Sequence, residues 1–295
     1  MSDQITTAFV QQYRANVIHD YQQNMAKTRG LVREEPVTGK SHFFERLGKT
    51  LAVKKTTRHA DTPLVNSQHA RRMVTMVDYE WADLVDVQDK IRLLISPSSE
   101  YAINGAAALR RAYDYEVVLA MDADAKAGED GSTTVTFATE GLNDDDNSGG
   151  AVTTAQIMTY KLDFDKADIP MEGRTIITSS ALTSQLLTAS SAPLAASSDY
   201  NTIKALVGGE MDTWAGFKFV HINDSTILPL LDTNDKYAYF FHRDAVAIGT
   251  GQDIVTKIDP RIDKSYAVQV YLCMTMGATR VQPGVSRMRY NSNLA

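Results

Sequence analysis

Apolar side chains return at nearly every fourth position near the start of the chain: Ile5, Phe9, Tyr13, Val17, Tyr21 and Met25, with Val10 and Ile18 widening the stripe. That spacing predicts an amphipathic helix over 3–28, closed by Gly30. Its apolar face needs a surface to dry it, either another chain or this chain's own body. The pattern then changes. GKSHFFERLGKTLAVKKTT and ARRMVTMVDYEWADLVDVQDK both read as strand-like, and the polar stretch TRHADTPLVNSQH between them, with Pro63, reads as a loop. Two strands joined by such a tip predict a hairpin arm. A helical stripe then follows over 96–128, through Ala102, Ala106, Leu109, Tyr113, Val117 and Ala120. Ser96 can cap that helix, Pro97 suits its first position, Glu100 favours its positive end and Gly128 can stop it. At ~1.5 Å per residue the rod is roughly 45 Å long. Ala106–Ala108 make one side thin, and Arg110, Arg111, Asp114 and Glu116 charge the others.

The rest of the chain reads as shorter pieces. An alternating strand is expected over 133–139, a helix over 151–162, a buried strand over 174–179 and a short helix over 180–187. A flexible stretch (190–198), a helix (200–207) and a strand or tight hairpin around Gly216 (210–221) follow. Strands are expected at 236–241, 266–276 and 284–290, with 227–231 apolar and 244–250 rich in turns. Strands and helices alternate without clean βαβ spacing, which favours an α+β class over a doubly wound sheet.

Charge divides this pattern further. Lys27 to Arg72 carries eleven Lys or Arg against four Asp or Glu, whereas Asp78 to Asp89 carries five acids and no base. A basic arm is followed directly by an acidic root. Asp122 to Asp165 is also acidic, with ten acids and two bases. Such blocks are commonly plain solvated surface. Between copies packed side by side they become complementary, which sets partner choice more than net affinity.

Composition excludes several classes. The 295 residues allow one large domain or two smaller ones, with 43% hydrophobic and 22% charged residues, as in ordinary globular chains. A net charge of −6 argues against a free-standing nucleic-acid binder. The single cysteine, Cys273, lies in an apolar run and is expected to be a buried small hydrophobe; no disulfide framework is possible and a reducing compartment is expected. The opening MSDQITTAFVQQ lacks the basic start and apolar core of a secretory signal, and no apolar run reaches membrane-spanning length. Phosphate-binding loops, G-x-S-x-G and H-E-x-x-H are absent. Gly249-Thr250-Gly251 lacks the third glycine of a dinucleotide site. The six histidines are scattered without ligand spacing. Asp144–Gly149 resembles the front of a calcium loop, but Ala155 stands where the closing glutamate belongs. No catalytic residue, cofactor or metal site is expected.

The order of these features resembles the major capsid proteins of tailed bacteriophages, with the fold named after phage Hong Kong 97. Three phrases carry the local likeness: RRMVTMVDYEWADLVDVQDK, SPSSEYAINGAAALRRAYDYEVVLAM and YNTIKALVGGEMDTWAGFKFVHIND. They look like a podophage or siphophage branch. The resemblance implies an N-terminal arm (1–33), an extended loop (34–80), a peripheral domain (81–150 and 256–295) with spine helix 96–128, and an axial domain (151–255). It implies self-assembly into the pentamers and hexamers of an icosahedral shell around double-stranded DNA, assembled in host cytoplasm and ending in the virion. Contact with the packaged DNA would be non-specific, with no membrane. Scaffolding, portal and decoration proteins stand open as further partners. Candidate inter-subunit contacts are Phe9, Tyr13, Val17 and Tyr21 on the arm, Arg46, Lys49, Lys54, Lys55 and Arg58 on the loop, and Asp78, Glu80, Asp83 and Asp86 at its root. Arg110, Arg111 and Asp114 are expected to face solvent or neighbours. Two other readings remain open: a cytoplasmic α+β enzyme with an unrecognised site, and the shell of an encapsulating nanocompartment.

Overall fold

The strands sort into three sheets, and the long helix lies on the first of them. The computed structural model describes residues 23–59, 61–86, 97–145, 150–188, 213–228, 231 and 234–293. In chain order come β1 (Arg33–Pro36), β2 (Ser41–Leu47), β3 (His69–Thr75), β4 (Val77–Val85), α1 (Pro97–Asp122), β5 (Ala125–Ala127), β6 (Thr133–Val135), α2 (Phe137–Glu140), β7 (Asp144–Asp145) and α3 (Thr154–Lys166). Then follow β8 (Arg174–Thr178), α4 (Ser180–Thr188), β9 (Thr213–Trp214), β10 (Phe217–His221), β11 (Asp235–His242), β12 (Val246–Arg261), β13 (Ala267–Arg280) and β14 (Val285–Asn291).

The first sheet has the order β1-β12-β13-β4. β12 and β13 pair from Val246↔Arg280 out to Arg261↔Ala267, with register irregularities between Thr250 and Val255. Past those irregularities β12 loses its burial, while its partner β13 stays buried at Val270 and Leu272 and pairs with β4. α1 packs on β13 and β4. Leu109, Tyr113, Val117 and Ala120 of its predicted stripe are buried, while Ala102 and Ala106 are half-buried. Each large apolar side chain dried in this way contributes about 1.5–3 kcal/mol. The thin side matters at Gly105: a Cβ there would stand 2.5 Å from the Trp81 ring and 2.8 Å from Leu272. The helix therefore sits directly on the sheet.

The helix stops at Asp122 rather than Gly128. At its end the buried Arg280 guanidinium donates to the carbonyls of Met121 (3.0 Å) and Ala123 (3.1 Å), and reaches Val135 O at 3.2 Å. A cation on the last carbonyls is favourable there, and burial pulls this guanidinium's pKa below its ordinary value. The chain then enters β5, and Gly128, at φ +93°, turns it into β6. The expected strand over 133–139 ends at Val135, because Phe137 folds into α2 and is buried with the Arg280 guanidinium over its ring.

The second sheet runs β7-β14-β11-β8-β10-β9. β8 is buried along its whole length. α3 and α4 cover the sheet through Ile157, Tyr160, Phe164, Leu182 and Leu186. α3 begins at Thr154, three residues later than the periodicity predicts, because Thr153 and Gln156 form a reciprocal capping box. β14 lies between β11 and β7, and its Arg287 also reaches Asp122 at the end of the long helix. β9 and β10 form the tight hairpin expected around Gly216. The stretch 244–250 is turn-like only through Ala245 and then becomes β12.

The third sheet, β2-β3-β5-β6, carries the hairpin arm. β2 and β3 pair from Ser41↔Thr75 to Leu47↔His69, and a last bond joins Gly48 N–H to Gln68 O at 2.7 Å. The described residues beyond it, through 67, form no strand and are exposed, so the strand-like stretch is paired over only part of its length. β3 and β4, read as one run, enter different sheets on either side of Met76. They can do so because β13 passes very close: a Cβ on Gly277 would stand 2.3 Å from Thr75 O. Residues 23–28, expected to end the first helix, form bends instead. The remainder of that helix, the 200–207 helix and the 190–198 stretch lie outside the described residues. Cys273 is half-buried on the outer face of β13, not buried, because strand alternation puts Leu272 and Met274 inward in its place.

Candidate functional site

Among the described residues no group of acids, histidines and cysteine could hold a metal, and no helix is long and apolar enough to cross a membrane. The features that could do work are surfaces: the first arm, the hairpin and its acidic root.

Phe9, Tyr13, Val17 and Tyr21 lie outside the described residues. Where the arm becomes described it is fastened to α1. Asp114 is fully buried; its two oxygens accept from Lys27 N–H (2.9 Å), Thr28 N–H (2.9 Å) and the Thr28 hydroxyl (2.6 Å), with Gln23 as a further donor. Arg110 donates to Asn24 O at 2.7 Å and Arg111 to Gln23 O at 3.5 Å. Of these three helix residues, expected to face solvent or neighbours, Arg110 is exposed as expected, Arg111 is half-buried and Asp114 is buried, and all three bond to their own chain. The non-helical backbone of 23–28 offers free N–H groups, which Asp114 accepts, and free carbonyls, which the two arginines satisfy.

The hairpin divides into a fixed base and an uncommitted tip. At the base, Arg46 and Arg72 both reach Glu140 of α2, at 2.9 and 2.6 Å, and Glu140 and Arg72 are nearly buried. Arg46 also donates to Val281 O at 3.3 Å. Arg46 therefore has partners within its own chain, with its side chain 26% exposed. Lys49 pairs with Asp168 at 2.9 Å, but both side chains are 78% exposed. Such a pair contributes about 0–1 kcal/mol and gives way easily. Lys54, Lys55 and Arg58 are exposed and have no partner among the described residues.

The acidic root is ordered by β4. Alternation places Asp78 and Glu80 on the outer face, and Asp83 with Tyr79 and Trp81 on the face toward α1. Asp78 accepts from the Thr275 hydroxyl at 2.7 Å, and Glu80 from the Tyr271 hydroxyl at 2.8 Å. The bond to Glu80 is the main reason the Tyr271 phenol titrates above its ordinary value. On the inner face Tyr79, raised mainly by burial, donates to Glu116. Asp83 accepts from Leu84 N–H, and Asp86 is exposed just past the strand. Among the described residues, none of the tip's cations meets these acids within one chain.

Sequence reasoning missed the interior cations. Besides Arg280, Arg287 grips Asp144 through two bonds (2.6 and 2.9 Å) and also reaches Asp122, which raises its pKa. Arg174 donates to Asp165 at 2.8 Å and lies over the rings of Phe164 and Phe217. The available signal was an arginine inside an apolar strand, a position tolerated only when paired within.

A family model described as "Phage capsid protein" matches residues 5–290. No curated protein matches the sequence. Among solved structures, a chain from Mycobacterium phage Che8 superposes with a TM-score of 0.68 at 16% identity, covering 97% of each chain. The capsid of cyanophage P-SCSP1u gives 0.68 at 14%, covering 97% of this chain and 94% of that one. The capsid of Ralstonia phage GP4 gives 0.67 at 9%, covering 95% of each. At these identities the likeness is one of fold.

Proposed function

The chain belongs to the phage capsid protein family, and from that footing we propose that its copies close into pentamers and hexamers of an icosahedral shell around packaged double-stranded DNA. It is a structural protein of the virion and not an enzyme. The observation that supports this reading best is the divided hairpin. Its base is locked into the subunit by Glu140, while Lys54, Lys55 and Arg58 are exposed without partners among the described residues, in a chain that bears a separate acidic strand.

In this reading residues 1–33 are the first arm and 34–80 the extended loop. The first sheet and α1 form the peripheral part, and the second sheet, with 285–291 added to it, forms the axial part. Phe9, Tyr13, Val17 and Tyr21 dry their stripe on neighbours. Lys54, Lys55 and Arg58 of one copy approach Asp78, Glu80, Asp83 and Asp86 of the next. Folding and assembly are then coupled by mass action, through interfaces that in permanent assemblies commonly exceed ~2,000 Å². The acidic chain meets DNA weakly and without sequence preference, which leaves the genome mobile. Scaffolding, portal and decoration proteins are further partners, and assembly takes place in the host cytoplasm.

Size-exclusion chromatography with negative-stain microscopy tests the reading. Closed particles are expected. Reversing charge at Lys54 and Lys55 is expected to weaken assembly most at low salt; assembly unchanged at every salt concentration would remove the arm from the contact.

A further inference from the structure

β4 is the outermost strand of the first sheet. β13 pairs along all of it, from Val77↔Met276 to Val85↔Val268, and no described strand pairs on its other side. In an antiparallel ladder alternate residues aim their N–H and C=O groups away from the partner. About half of the backbone polar groups of β4 therefore face outward, and apart from the Leu84 N–H, which Asp83 accepts at 2.8 Å, they can template another strand. Bare edges are usually blunted by shortness, proline or a bulge. β4 is nine residues long, contains no proline and keeps its register throughout. Val77 and Leu84 are more than 40% exposed along it. Its one guard is charge: Asp78 and Glu80 on the outer face, Asp83 on the inner. Acid on both faces turns away acidic and neutral strands and admits a basic one.

This chain holds a segment with those properties. Leu51–Thr57 (LAVKKTT) has no Pro, Gly or acid, carries three β-branched residues (Val53, Thr56 and Thr57), and is exposed without regular structure. It begins just past the last hairpin bond at Gly48. Lys54 and Lys55 are consecutive, so in a strand they point to opposite faces. We infer that Leu51–Thr57 of a second copy adds as a further strand to the open edge of β4, one lysine meeting Asp78 and Glu80 and the other meeting Asp83. Backbone bonds supply the affinity, and the paired charges supply register and choice of partner. The inference rests on the shell reading, which brings the second copy alongside.

Cross-linking tests it. Leu84→Cys is combined with a single cysteine at each position from 51 to 57 in turn, in a Cys273→Ser background. Assembled particles are oxidised and run on denaturing gels without reductant. Multimer ladders are expected at only one or two positions, those that come opposite Leu84 on the same face, since a disulfide needs Cα atoms within about 7 Å. Equal cross-linking at all seven positions, or none, overturns strand addition. Hydrogen exchange on the unaltered chain repeats the test without substitution: amides in both 51–57 and 77–85 should slow between subunit and particle. Particles in which either segment exchanges as fast as in the subunit overturn the inference and leave the shell reading standing. A chain that forms no particle overturns the shell reading beneath it.

Discussion

Thr28 gives both its backbone N–H and its hydroxyl to one oxygen of Asp114, at 2.9 and 2.6 Å, while the other oxygen takes Lys27 N–H at 2.9 Å. A carboxylate in mid-helix thus acts as the terminus of the preceding arm. Asp114→Ala leaves these donors without acceptors, and each buried one costs about 1–3 kcal/mol. A lower denaturant midpoint and faster tryptic cleavage after Lys27 and Arg29 are expected, with Asp114→Asn between the two. Cleavage and midpoint both unchanged would contradict the anchor.

Gly277 and Gly105 are both close approaches of different kinds. At Gly277 a methyl group meets the Thr75 carbonyl oxygen, which is backbone and cannot turn aside. At Gly105 it meets a Trp81 ring and the end of Leu272, and gains about 1 kcal/mol of helix propensity in compensation. Overpacking of this kind costs roughly 1–3 kcal/mol. Gly277→Ala is therefore expected to lower the thermal midpoint more than Gly105→Ala; the reverse order would contradict the crossing of β3 over β13.

Arg280→Met keeps the volume and removes the donors to Met121, Ala123 and Val135. Loss of at least roughly 2 kcal/mol is expected, because buried carbonyls lose a charged partner. Hydrogen exchange should quicken at the C-terminal turn of α1 before its centre. Uniform exchange along the helix would argue against a capping role.

Asp165 supplies a pH dependence. Its hydrogen bond from Arg174, and then that from Lys161, hold its pKa below the ordinary 3.8. The unfolded chain therefore binds the proton first as acid is added. Stability from this contact is present above pH 3.8 and is lost as the pH falls through the folded value. Asp165→Asn should flatten urea midpoints across the acid range; an unchanged acid slope would show that other carboxylates carry it.

The long helix was legible because its start and stripe are local: Pro97, Glu100 and the run from Ala102 to Ala120. Its end was not, since Gly128 is the sequence's stop signal and Arg280, far along the chain, is the actual one. The strand character of 69–85 could be read from Val, Tyr and Trp. The change of sheet at Met76 could not, because it depends on Gly277 making room from β13. Asp114 looked like surface by its charge, and only the arm's unsatisfied N–H groups explain its burial. The candidate surface was half visible: charge blocks marked the tip and the root, but Arg46 was claimed by Glu140, and only the strand alternation of β4 separates Asp83 from Asp78 and Glu80.

The passage of one chain through Met76 from the hairpin's sheet into the helix's sheet joins two bodies without a joint. With β13 pressed against Thr75, any shift of β13 at Gly277 is felt at once in the base of the arm and in the plate beneath α1.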